Sequence, residues 1–141
     1  NQGLVLAKGE IVIFLNSDIV ATGDWLGKVS KIKKGAFYSP TTGIRIVDGE
    51  ICRYLEGWCL AGYKSDFDSI GGWNEKDFPG LYWEDNELCF RAERAGIVLK
   101  QLLLPLIHLS NYTSQRTEGA YSQSQANKNV FERIVREAAH G

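Results

Sequence analysis

The chain has 141 residues, of which 44% are hydrophobic, 11% aromatic and 23% charged. That is one domain with a sizeable core, and it argues against wholesale disorder, collagen and coiled coil. Basic and acidic residues balance at 16 and 17 for a net charge of -1, which supplies no electrostatic reason to bind nucleic acid, and no apolar run reaches the roughly 18 residues of a membrane span.

The spacing of Leu4 and Ala7 predicts a helical end over 1–9, closed by Gly9 as a C-cap. Ile11, Val12, Ile13, Phe14 and Leu15 follow without alternation, which predicts a central strand buried on both faces. Asn16, Ser17 and Asp18 fall at its carboxyl end, where open α/β sheets bind ligands. Asp24 reads as the N-cap of a helix over 25–34, with Trp25, Val29 and Ile32 on one face. Its Lys28, Lys31, Lys33 and Lys34 read either as a solvated face or as a surface for an anionic partner.

Strands are predicted over 36–39, 43–47, 50–55 and 58–63, with Asp48-Gly49 as a hairpin turn. One helical turn over 66–70 ends at Gly71-Gly72, and 73–83 reads as a loop rich in Asn, Asp, Pro and Gly. Helical spacing returns over 84–95, with Leu88, Ala92 and Ala95 on one side and Gly96 at C′. A strand over 97–104 stops at Pro105, and a short apolar segment, 106–109, carries His108. A polar loop follows over 113–127, then a helix over 129–139 with Val130, Phe131, Ile134 and Val135 inward. The resulting division is 1–115, a loop over 116–128 and a terminal helix over 129–141. The strand-rich middle argues for an α/β fold with a mixed sheet flanked by helices.

Cys52, Cys59 and Cys89 form no CxxC pair, which predicts reduced, buried thiols and a cytoplasmic setting. Methionine is absent even at position 1 and no export leader is visible, so a fragment is expected. Asn111-Tyr112-Thr113 is a formal glycosylation sequon, read as chance.

Three constellations could carry chemistry. Asp18 is well placed to hold a divalent ion that bridges phosphates, or it caps the next turn. Glu84 and Asp85 begin a helix, where the macrodipole favours carboxylates; they are simple caps, or one of them is a general base. His108 is a satisfied core histidine or, beside a metal-binding Asp18, a second ligand. Gly57 and Gly62 bracket Trp58, Cys59, Leu60 and Ala61 and permit close approach; the spacing is not a nucleophile elbow. Trp58, Trp73 and Trp83 either stack on a sugar or fill the core.

Taken in order, these pieces resemble an inverting glycosyltransferase of family 2, with the GT-A fold. Asn1-Gln2-Gly3, Ala7-Lys8-Gly9-Glu10 and 11–18 resemble the approach to its DxD-like motif. Ser69-Ile70-Gly71-Gly72-Trp73-Asn74-Glu75 resembles its iGGfdE segment. Trp83-Glu84-Asp85-Asn86-Glu87-Leu88-Cys89-Phe90-Arg91 resembles its ED-x-DL-x-x-R motif, with Glu87 for the second Asp, and Pro105 to His108 matches the histidine strand. The resemblance covers residues 1–115. It implies Asn16, Ser17 and Asp18 on the donor side, and Asp18 with His108 around Mn2+ or Mg2+. It implies Asp85 as catalytic base with Glu84 beside it, and Trp83, Gly57 and Trp58 on the acceptor side.

Asn16 replaces the first Asp of the motif, as in a rhamnosyltransferase-like branch. The family's N-terminal nucleotide-binding half has no counterpart here, so a homo-oligomer is expected. The implied partners are a nucleotide-sugar donor and a glycan or lipid-linked acceptor, the latter placing the protein at the inner membrane surface. Two readings compete with the transferase. One is a catalytically silent GT-A fragment serving as an oligomerisation or interaction module. The other is a phosphohydrolase using the same carboxylates.

Overall fold

The computed structural model describes residues 1–80, 82–109 and 118–140. It is a mixed α/β fold. The elements are α1 (Gln2–Leu6), β1 (Ile11–Leu15), β2 (Ile19–Ala21), α2 (Leu26–Val29), β3 (Ala36–Ser39), β4 (Thr42–Val47), β5 (Glu50–Leu55), β6 (Cys59–Tyr63), α3 (Lys64–Ser69), α4 (Glu84–Arg94), β7 (Val98–Gln101), β8 (Leu106–His108) and α5 (Ala120–His140). The main sheet runs β1-β6-β3-β7, and two ribbons stand beside it, β2-β8 and β4-β5. β6 is antiparallel to β1 and β3, while β3 and β7 are parallel, so the sheet is mixed.

β3 and β6 carry the core. All four β3 residues are buried, and so are Cys59, Leu60, Ala61 and Gly62 of β6. Successive side chains alternate between the two faces of a strand. Phe37 and Leu60 join Phe67 of α3 and Leu88, Cys89 and Ala92 of α4 on one face. Ala36, Tyr38 and Ala61 meet Val29 and Ile32 on the other. Gly62 leaves room for the stacked Phe37 and Phe67 rings, whose centroids are 4.2 Å apart. The β4-β5 hairpin closes through Asp48 and Gly49 at φ +50° and +86°, a primed turn that matches strand twist.

Four expectations need correction. β1 is the outermost strand among the described residues rather than a central one, and only Val12 in it is buried. Its apolar run reports covered faces, since Phe14 lies 5.2 Å from both the Phe67 and Trp73 rings, but says nothing about edge pairing. The helix expected over 25–34 is α2 alone. Asp24 Oδ1 caps it by accepting the Gly27 N–H at 2.9 Å, and the chain then tightens into i→i−3 bonds at Lys31 and Ile32. The lysine-rich segment is exposed. The strand expected over 97–104 is only β7, Val98–Gln101. The polar loop expected over 116–128 is helical from Ala120, because Ser124 and Asn127 find tertiary partners that outweigh their low propensity, and Gln123 bonds Asn127 one turn on. β2 was not foreseen, and the sequon at 111–113 lies outside the described residues.

The three cysteines are free and buried, and burial pushes the Cys59 and Cys89 thiols up to about 11 and about 12. Glu87 and Arg91, within the segment that suggested a motif, form a structural clamp. Arg91 Nε and Nη2 bond the Glu87 carboxylate at 2.6 and 2.8 Å, and the same guanidinium donates to the Ile70 and Gly72 carbonyls. No described helix is long and apolar enough to cross a membrane.

A Cβ at Gly62 would sit 2.6 Å from Phe37 Cδ1 and 3.0 Å from Phe67 Cε2. Gly62→Ala is therefore expected to lower unfolding free energy by about 1–3 kcal/mol in urea titrations. Wild-type stability in that variant would contradict the packing described.

Candidate functional site

The turn joining β5 to β6, Glu56-Gly57-Trp58, lines a cleft of about 690 Å³. At one end, Asn16 continues β1 and donates its N–H to the Trp58 carbonyl at 2.9 Å. The chain then turns through Ser17 and Asp18 into β2. Pairing of β2 with β8 sets Ile19 opposite His108, and the Leu109 N–H donates to the Asp18 carbonyl at 2.9 Å. This register brings His108 Nε2 to 3.3 Å from Asp18 Oδ1, with both side chains largely covered. Trp58 stacks on the imidazole, centroids 5.0 Å apart and planes 16° off parallel.

At the other end stands the N-terminus of α4. Asp85 is bound from three directions: its Oδ2 accepts the Gly57 N–H at 3.0 Å, and its Oδ1 accepts the Asn86 N–H at 2.8 Å and the Asn86 side-chain amide at 2.7 Å. Burial pushes the Asp85 carboxyl up, and these donors pull it back. Glu84 has less help. Its Oε2 is buried with no hydrogen-bond partner among the described residues, and burial, then the neighbouring Asp85 charge, push its carboxyl up to about 7.

Tyr82 and Trp83, just before Glu84, both adopt left-handed backbone at φ +73° and +72°. Two such L-residues cost about 1–2 kcal/mol each. Helix α5 holds them: Asn127 Nδ2 donates to the Tyr82 carbonyl at 2.9 Å, Trp83 Nε1 donates to Ser124 Oγ at 3.3 Å, and the Trp83 ring packs 5.7 Å from Phe131.

Asn16, Asp18, Gly57, Trp58, Trp83, Glu84, Asp85 and His108 all line this one cleft; Ser17 is exposed and does not. Arg45, Tyr54, Glu56, Tyr82 and Ser124 also line it and were not foreseen. Arg45 gave no signal because it lies between Ile44 and Ile46, which alternation would turn inward; here those isoleucines are 61% and 73% exposed.

Among the described residues no group of three or more His, Cys, Asp and Glu is arranged to hold a metal. Asp18 and His108 are a pair, and two donors suit an ion that takes its remaining ligands from substrate oxygens and water. No protein-family model matches the chain, and a search of curated proteins returns no match.

Glu84 ordinarily ionises at 4.5 and here near 7. Between these values the unfolded chain has lost its proton and the folded chain has not, so stability falls as pH rises through this window. The full penalty, reached above it, is at most about 3 kcal/mol. Glu84→Gln should therefore stabilise the protein by about 1–3 kcal/mol at pH 8 and leave it nearly unchanged at pH 4.5. Equal effects at both pH values would contradict this.

Proposed function

We propose that the chain is the metal, acceptor and base portion of an inverting glycosyltransferase of family 2 with the GT-A fold. It moves a sugar from a nucleoside-diphosphate donor to an acceptor hydroxyl. The observation that carries this reading is the Glu56-Gly57-Trp58 turn. Gly57 bonds Asp85 while Trp58 stacks on His108, so an Asp–His pair suited to a diphosphate-bound ion and a carboxylate pair suited to proton transfer open on one cleft.

Asp18 and His108 would hold a divalent ion, Mn2+ or Mg2+, which when bound neutralises the leaving diphosphate. Asn16, with no charge, serves as a hydrogen-bonding group on the donor side. Asp85 takes the proton of the acceptor hydroxyl as the oxygen bonds to the anomeric carbon and the carbon–diphosphate bond breaks. Among the described residues its Oδ2 accepts one hydrogen bond, from Gly57, which leaves a lone pair for that proton. Glu84 beside it holds a proton near neutrality and so limits repulsion within the pair. Gly57, Trp58 and Trp83 line the acceptor side of the cleft. One displacement inverts the anomeric configuration and needs no protein nucleophile.

One observation favours the second reading, a silent module that assembles with another chain. β1 ends the main sheet among the described residues, and the neighbouring α1 leaves Val5 and Leu6 75% and 77% exposed. A second copy is the simplest partner for such a surface.

Calorimetry with UDP, TDP and GDP, with and without Mn2+, separates the two. The transferase reading expects metal-dependent binding of at least one nucleotide, weakened at least about tenfold in Asp18→Ala, since a lost metal ligand removes several kcal/mol. No binding to any nucleotide, together with a dimer in light scattering, would favour the assembly module.

A further inference from the structure

Arg45 is the one lysine or arginine among the described residues that line the cleft, which otherwise presents Asp18, Glu56, Glu84 and Asp85. It would be expected to pair with one of these carboxylates. Instead, among the described residues, it makes no ion pair, and its sole hydrogen bond runs from Nε to Asn86 Oδ1 at 3.4 Å. Its guanidinium lies over two rings, 5.0 Å from the Tyr54 centroid and 4.8 Å from that of Trp83.

The arrangement is built from below. Gly43 and Tyr54 are cross-strand partners, and a Cβ at Gly43 would lie 2.4 Å from Tyr54 Cζ. Glycine there lets the tyrosine ring lie flat across the strand, and Arg45, two residues on, rests on that ring. Trp83 is fixed in turn by Ser124 and Phe131 of α5. Two aromatic contacts thus restrain a guanidinium whose terminal nitrogens have no acceptor among the described residues. A restrained planar fork binds carboxylates and phosphates in bidentate fashion and loses little entropy in doing so.

We propose that Arg45 is the oxyanion-binding residue of the cleft, and that the ligand carries a carboxylate or phosphate group which docks on the guanidinium that Tyr54 and Trp83 hold. The Arg45–Asn86–Asp85 chain of hydrogen bonds places this group on the carboxylate side of the cleft, away from the Asp18–His108 pair. Taken with the proposed transferase reading, on which this part rests, the anionic group belongs to the acceptor. The donor diphosphate is the other source with the same chemistry.

The test follows the Trp83 indole N–H resonance of 15N-labelled full chain, assigned with Trp83→Phe, in metal-free buffer. The probes are sodium glucuronate for a carboxylate, UDP for a diphosphate and glucose as a neutral control. At least one of the two anions should shift the resonance saturably, and Arg45→Gln should weaken that binding about tenfold or more, the loss that follows removal of a charge-assisted bidentate pair. Arg45→Lys, which keeps the charge but not the fork, should lose less, and it serves as the comparison if Arg45→Gln melts early. Any glucose response should be the same in every variant. Loss confined to glucuronate assigns the oxyanion to the acceptor, and loss confined to UDP assigns it to the donor. An indole resonance that neither anion moves, or variants that bind both anions like wild type, would overturn the proposal. Because no metal is present, the result is independent of Asp18, and failure of the transferase reading would be seen separately as unaltered metal-dependent binding in Asp18→Ala.

Discussion

The cleft depends on three residues, Glu56-Gly57-Trp58. Their backbone is held from both sides: Glu56 donates its N–H to the Thr41 carbonyl at 3.0 Å, Ser39 Oγ donates to the Glu56 carbonyl at 2.9 Å, and Asn16 donates to Trp58. Because Gly57 has no side chain, Asp85 can approach; a Cβ there would fall 3.3 Å from Asp85 Cβ. One residue later, Trp58 covers His108. A turn fixed by the core sheet therefore sets the spacing between a helix N-terminus and a ribbon that are distant in sequence.

Two adjacent carboxylates at that helix end have different hydrogen-bond partners. Hydrogen bonds to a charged group contribute about 1.5–3 kcal/mol each. Asp85 accepts three and Glu84 Oε2 none among the described residues, while burial pushes both carboxyls up. The left-handed Tyr82-Trp83 segment delivers both side chains to the cleft and is held by α5 through Asn127, Ser124 and Phe131. The C-terminal helix thus acts on the site without contributing an ionisable group to its lining.

Much of this was legible from composition and punctuation. Asp48-Gly49 marked its hairpin, and the unalternating run at 11–15 marked β1 as a strand. The strand-rich middle implied a mixed sheet. The site residues could be named because strand ends and helix starts collect polar groups, yet nothing local said that Asp18 would meet His108. That contact follows from the pairing of β2 and β8, a three-residue register with no pattern of its own. Arg45 was hidden for a sharper reason. β4 reads Ile-Arg-Ile, and binary patterning turns the isoleucines inward, whereas the hairpin leaves Ile44 and Ile46 exposed and sends Arg45 to the cleft. The start of α5 was missed because Ser124 and Asn127 are stabilised by Trp83 and Tyr82, far away in sequence.

The most direct measurement is a crystal structure of the chain grown with UDP and Mn2+, with the ion located by its anomalous scattering. The expected result is a single manganese peak bonded to Asp18 and His108, with the nucleotide's diphosphate on its open side and Glu84-Asp85 free of metal. A manganese peak on the Glu84-Asp85 pair, with none at Asp18 and His108, would contradict the proposed division of the cleft into a metal end and a proton-transfer end.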